Sequence, residues 1–114
     1  MLTKDQIATL DFLAAKKSRS IGKRCFMCWA KGCEDHHVIH RNILGLRWYK
    51  PNRVFVCRTC HVLLHAEPER NEYFINKFIE VYGQDIMDGL KAKSQVIKPY
   101  LDFDQIKKEI EDWK

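Results

Sequence analysis

The sequence predicts a small α+β protein. A strand, a loop, a second strand and a helix form its core, and an N-terminal helix and two or three C-terminal helices wrap it. Three observations predict this. All five cysteines and all five histidines of the 114-residue chain fall between Cys25 and His65. Two C-x-x-C pairs, Cys25/Cys28 and Cys57/Cys60, bracket that stretch. Residues 33–40 and 53–56 read as strands, while the flanks place apolar residues at helical spacing. A chain of this length makes one domain, 1–114, with a modest core.

Composition and charge narrow the class. No apolar run approaches the ~20 residues of a membrane span. The first residues carry acids in their apolar part and lack a small-residue cleavage site, so a cytoplasmic location with reduced thiols is expected. Paired cysteines there mean metal or catalysis rather than disulfides. The net charge of +5 is uneven: residues 16–58 hold eleven Lys/Arg against two acids, whereas 1–15 give −1 and 59–114 give −3. The basic half is thus the half that holds the cysteines and histidines, and it suits a polyanionic partner.

Taken in order, residues 3–17 read as an amphipathic helix. Thr3 caps it, Gln6 completes a capping box, Leu2 and Ile7 form a hydrophobic staple, and Ile7, Leu10, Leu13 and Ala14 face inward. Lys16, Lys17, Arg19, Lys23 and Arg24 follow as a basic run, which Ser18, Ser20 and Gly22 are expected to keep non-helical and free to touch a nucleic-acid backbone. Cys25 to Lys31 makes a tight knuckle. Residues 33–40 are extended, 41–52 form a long loop, 53–56 a strand, and a helix runs from about Arg58 to Ala66. Pro68 opens a helix through Tyr82 that Gly83 stops, with Tyr73, Phe74, Phe78, Ile79 and Tyr82 as its apolar face. A segment at about 85–97 turns Ile86, Leu90, Val96 and Ile97 inward. The last helix has Asp102 as cap, Gln105 as box partner, and Phe103, Ile106, Ile110 and Trp113 on one face.

Two C-x-x-C pairs 28 residues apart supply four thiolates, the set for one closed tetrahedral zinc site of structural purpose. Cys33 is left over as a small apolar residue. His61 and His65, four apart on a helix, present both imidazoles to one ion. His36 and His37, adjacent in a strand, point to opposite sides. One of the two can join His61 and His65 on the ion, and the other is free to act as a base. Three imidazoles leave coordination positions open, as a catalytic ion requires. The division fits phosphodiester hydrolysis, in which a metal steadies the phosphate while an imidazole takes a proton from water.

With its His37-x14-Asn52-x8-His61-x3-His65 spacing and flanking knuckles, the chain resembles the HNH nucleases of the ββα-metal class, the DNase colicins among them. The resemblance covers residues 25–65. It implies a zinc-stapled ββα-metal core with His37 as general base and Asn52 as the residue that pins the loop and orients that base. It also implies His36, His61 and His65 as ligands of a catalytic divalent ion (Mg²⁺, Mn²⁺, Ni²⁺ or Zn²⁺), and DNA cleavage to 5′-phosphate and 3′-hydroxyl ends in a bacterial or phage-infected cell. His40 stands where many members have proline. Two rivals remain at this stage. One is a non-catalytic zinc module that binds nucleic acid, which gives Asn52 and the His-His pair no task. The other is haem attachment at Cys57-x-x-Cys60-His61, which requires export.

For DNA contact the candidates are Arg41, Arg47, Trp48, Lys50, Arg53 and Arg58, with Trp48 or Tyr49 stacking on bases. The expected partner is DNA and no membrane, with the chain a monomer or homodimer. Nothing in the sequence resembles an element that reads base sequence.

Overall fold

The structure, a computed structural model, describes residues 1–96 and 99–114. Among these, a two-stranded antiparallel sheet, β1 (Cys33–His37) and β2 (Arg53–Cys57), is surrounded by six helices: α1 (Lys4–Ile21), α2 (Leu44–Arg47), α3 (Arg58–Ala66), α4 (Pro68–Tyr82), α5 (Gln84–Ser94) and α6 (Phe103–Glu111). Cys33 lies opposite Cys57 and His37 opposite Arg53. The hairpin therefore brings its two cysteines to one end and the histidine pair to the other.

Helix α1 starts on the capping box, with Thr3 Oγ1 accepting from the Gln6 amide at 3.1 Å and Gln6 Oε1 accepting from the Thr3 amide at 3.0 Å. It runs one turn beyond the expected end at residue 17. Ser18 and Ser20 do not break it, because Ser18 Oγ donates to Asp35 and Ser20 Oγ to the Lys17 carbonyl, which leaves the helical amides to their own partners. Gly22, at φ 64°, ends it. Lys16, Lys17 and Arg19 are thus helical, not part of a loop.

The apolar side chains gather in two clusters. One packs Leu46, Val54, Val56, Leu64, Phe74, Phe78, Met87 and Leu90 beneath the hairpin. The other closes α1 against α6 through Leu10, Ala14, Trp48, Ile106, Ile110 and Trp113. Several expected core residues are displaced from them. Tyr73 and Tyr82 are exposed on α4, although Tyr82 still stacks on Phe26 at 6.0 Å. Leu90 faces inward as expected, but α5 buries Met87 beside it and leaves Ile86 exposed, and Val96, beyond the end of α5, is exposed too. Ile97 lies outside the described residues. Asp102 caps α6 through the Gln105 amide, but the Gln105 side chain reaches forward to Glu109 and completes no box. Strand β1 ends at His37, three residues short of expectation, and the expected loop 41–52 contains α2 and a 3₁₀ turn at Lys50–Asn52.

Candidate metal centres

The first knuckle turns tightly after Cys25, whose amide donates to the Ala30 carbonyl at 2.9 Å while its carbonyl accepts from the Trp29 amide at 2.9 Å. Closing this turn holds Trp29 at φ 66°, a left-handed conformation that costs a side chain with a Cβ about 1 kcal/mol. The Phe26 amide pairs with the Phe55 carbonyl on β2 at 2.8 Å, and Lys77 Nζ on α4 donates to the Phe26 carbonyl at 2.7 Å. Fastened so, the knuckle brings Cys25, Cys28, Cys57 and Cys60 together with all sulfurs within 4.8 Å of one another. Cys28 Sγ lies 3.6 Å from Cys57 Sγ. Zinc–sulfur bonds of about 2.3 Å in a tetrahedron set neighbouring sulfurs about 3.8 Å apart, so the group fits a zinc ion. The knuckle amides support the charged form. Burial acts to raise the Cys25 thiol, yet the backbone N–H groups of Cys57, Cys28 and Met27 outweigh it and hold it at about 6.

On the α3 side of β1, the rings of His36, His61 and His65 meet with centres 5.0 to 5.3 Å apart, and their ligating nitrogens lie within 4.8 Å. His36 is buried against the edge of Phe74, and its Nδ1 has no hydrogen-bond partner among the described residues. Burial, then the neighbouring imidazoles of His61, His65 and His37, push its pKa down to about 3, so it is neutral as a ligand must be. Glu34 Oε1 lies 2.8 Å from His61 Nδ1. A carboxylate only accepts, so Nδ1 carries the proton and Nε2 presents the lone pair. The donor set fits a divalent transition ion with open positions.

His37 points to the opposite side. Its Nε2 is 3.0 Å from the Arg47 carbonyl oxygen, which also accepts from Arg53 Nη1 at 2.9 Å. Nε2 is therefore the donor, and Nδ1 keeps its lone pair. Burial chiefly, then the Arg53 charge, brings the His37 pKa down to about 4. Asn52 is fully buried. Its Oδ1 accepts from the Ile39 amide at 2.8 Å, and its Nδ2 donates to the carbonyls of Ile39 at 2.9 Å and Leu46 at 3.3 Å. Asn52 thus clips the chain leaving β1 to the turn whose next carbonyl holds His37. His40 is exposed and belongs to neither imidazole group.

The candidate DNA contacts divide. Arg58 is exposed, and Lys50 is half-buried over the Phe55 ring at 5.2 Å. Arg41 is exposed, 3.6 Å from Asp11. Trp48 is a correction: it is 3% exposed in the α1–α6 cluster and donates Nε1–H to Asp11 at 3.0 Å, so no base can stack on it. Arg47 is also internal, forking onto both oxygens of Asp11. Burial acts to raise the Asp11 carboxyl, but Arg47 and Trp48 together hold it low. Arg53 borders the His37 side, yet its guanidinium is paired with Asp35 and lies 4.6 Å over the Trp113 ring. Tyr49 is partly exposed beneath Lys93. Sequence reasoning missed Glu34, Asp35 and Asp11, whose partners are distant in the chain and leave no local pattern.

The Arg53–Asp35 pair has side chains 7% and 9% exposed. Asp35→Asn strands a buried guanidinium and is expected to cost about 3 kcal/mol, read as a lower denaturation midpoint with zinc content unchanged. An unchanged midpoint would show that the Arg47 carbonyl and the Trp113 ring suffice for Arg53.

The chain is a small α+β domain with one four-thiol group that can hold a structural metal such as zinc, and one three-imidazole group that can hold a second ion. No helix among the described residues is long and apolar enough to cross a membrane. Comparison with protein families, curated proteins and solved structures gives no match.

Proposed function

We propose that this chain is a metal-dependent endonuclease of the HNH type, with a ββα-metal core, that hydrolyses DNA phosphodiester bonds. One observation carries the reading. Adjacent residues of a single strand send one imidazole into a three-histidine group and the other, with a free Nδ1, to the opposite side, and His61 and His37 both line one cleft of about 860 Å³. His37 Nδ1 accepts the proton of an attacking water, and its bond to the Arg47 carbonyl holds the ring in the tautomer that can do so. Asn52 keeps that carbonyl in place through its neighbour Leu46. Glu34 orients His61 as a ligand through Nε2. A divalent ion held by His36, His61 and His65 would supply Lewis-acid stabilisation to the scissile phosphate and leaving oxygen. With one such centre per chain, a monomer nicks one strand and a double-strand cut takes two copies.

The test is a supercoiled plasmid incubated with zinc-loaded protein and, in turn, Mg²⁺, Mn²⁺, Ni²⁺ or added Zn²⁺. Conversion to the nicked circle is expected with at least one metal and none under a chelator that strips the three-histidine ion. No conversion with any of the four leaves the non-catalytic zinc-binding nucleic-acid module as the function.

A further inference from the structure

Trp29 is the one residue the fold treats oddly. It is 72% exposed at the tip of the first knuckle, and it is the one non-glycine residue with positive φ among the described residues. A turn that needs φ near +66° prefers glycine, and a solvent-facing indole gains nothing from packing. Closing the knuckle turn accounts for the positive φ, but nothing in the metal site calls for an exposed indole there, since its sulfurs come from the neighbouring residues. Two cations lie close to this residue along the chain. Arg24 Nη1 donates to the Trp29 carbonyl at 3.1 Å, and Lys31 stands two residues on. Both, with Arg19 and Lys23, line the cleft that holds His37 and His61.

The acids of that cleft do not neutralise it. Asp11 is taken by Arg47 and Asp35 by Arg53, which leaves Glu34, hydrogen-bonded to the neutral His61, against Arg19, Lys23, Arg24 and Lys31, which form no ion pair among the described residues. Unpaired cations along a groove, and an exposed aromatic residue whose backbone is bonded to Arg24 of its lining, are the two parts of a single-strand binding surface: charge tracks the phosphates and the ring stacks a base.

We infer that the first knuckle is a substrate grip: Trp29 stacks on an unpaired base while Arg19, Lys23, Arg24 and Lys31 hold the phosphates of that single strand and lead it toward His37. The inference deepens the nuclease reading and rests on its choice of nucleic acid as substrate. It also says that the preferred substrate presents unpaired bases beside the cut.

The probe is a short fluorescein-labelled single-stranded oligothymidylate, titrated into the zinc-loaded full chain without a further divalent metal. Binding is expected to quench tryptophan emission, since Trp48 and Trp113 are buried and Trp29 is not. Trp29→Gly is expected to bind about tenfold more weakly, with zinc content kept and the melting temperature unchanged or raised, and Trp29→Phe to recover most of the affinity. Changing Lys23, Arg24 and Lys31 together to Gln is expected to reduce the salt slope of binding by about 2, whereas Lys107→Gln with Lys108→Gln leaves it alone. If Trp29→Gly binds like the wild type, or Trp29→Phe no better than Trp29→Gly, the grip is wrong even where plasmid is cut. Quenching that follows this pattern in a chain that never cuts plasmid keeps the grip and removes only the catalytic reading.

Discussion

His37→Ala is expected to lower the cutting rate by about 10²- to 10⁴-fold while zinc content and DNA affinity stay at wild-type levels. The expectation follows from where the ring sits. It is half-buried beside Arg53, contributes to neither metal group, and spends its only N–H on the Arg47 carbonyl. Truncation removes an acceptor at Nδ1 and leaves the fold's own bonds to Asn52 and Arg53. A variant that cuts at the wild-type rate would place the base elsewhere. The same ring makes a second statement, in pH. Its pKa is lowered from 6.5 to about 4 by burial first and the Arg53 charge second, so the neutral, accepting form dominates at every pH above that value. The acid limb of the rate is expected below the ordinary histidine range, measured with metal held saturating. The sign for stability agrees. Between 4 and 6.5 the unfolded chain binds a proton at this position that the folded one refuses, so His37 makes the fold less stable as pH falls through that window and leaves it unaffected above it. An acid limb at the ordinary histidine value would mean the working base is a solvated ring.

What could be read in the sequence was local. A helix fixes the relation of His61 to His65 and a strand that of His36 to His37, so period alone assembles the imidazoles once the hairpin closes. Thr3 with Gln6, Pro68 with Gly83, and the two knuckles are likewise legible, because partners within a few residues define them. What could not be read was long-range. Arg47 and Trp48 look like DNA contacts until Asp11, 36 and 37 residues away, claims both. Arg53 faces the same ambiguity with Asp35, 18 residues away on the opposite strand. The basic count of the segment therefore overstated the charge free to meet a ligand there; among the described residues the α1 end and the first knuckle, with the exposed Arg58, still present cations that form no ion pair. Trp29 was passed over because an exposed aromatic leaves no periodic trace.

Cys57→Ser is expected to abolish both zinc binding and cooperative unfolding. Cys57 closes β2 against the first knuckle and caps α3, its sulfur accepting from the Cys60 amide at 3.5 Å. Everything that positions the three imidazoles passes through that junction, since His36 rides on the hairpin and His61 and His65 on α3. Zinc binding to such sites contributes on the order of 10 kcal/mol to folding, comparable to the whole stability of about 5–15 kcal/mol typical of a domain. The two apolar clusters, one under the hairpin and one between α1 and α6, are small, and Leu46 of the first and Trp48 of the second sit on the same connection between the strands, so neither is expected to hold alone. Circular dichroism should show a broad, non-cooperative melt for Cys57→Ser and for the wild type after strong chelation, reversed in the latter by added Zn²⁺. Cys33→Ser is the control. Its sulfur donates to the Ala30 carbonyl at 3.4 Å and stands outside the four-thiol group, so one tightly held zinc and a cooperative melt should remain. A cooperative melt of Cys57→Ser near the wild-type midpoint would show that packing alone builds the hairpin. The thiols would then be ornaments of a fold that the apolar clusters already specify.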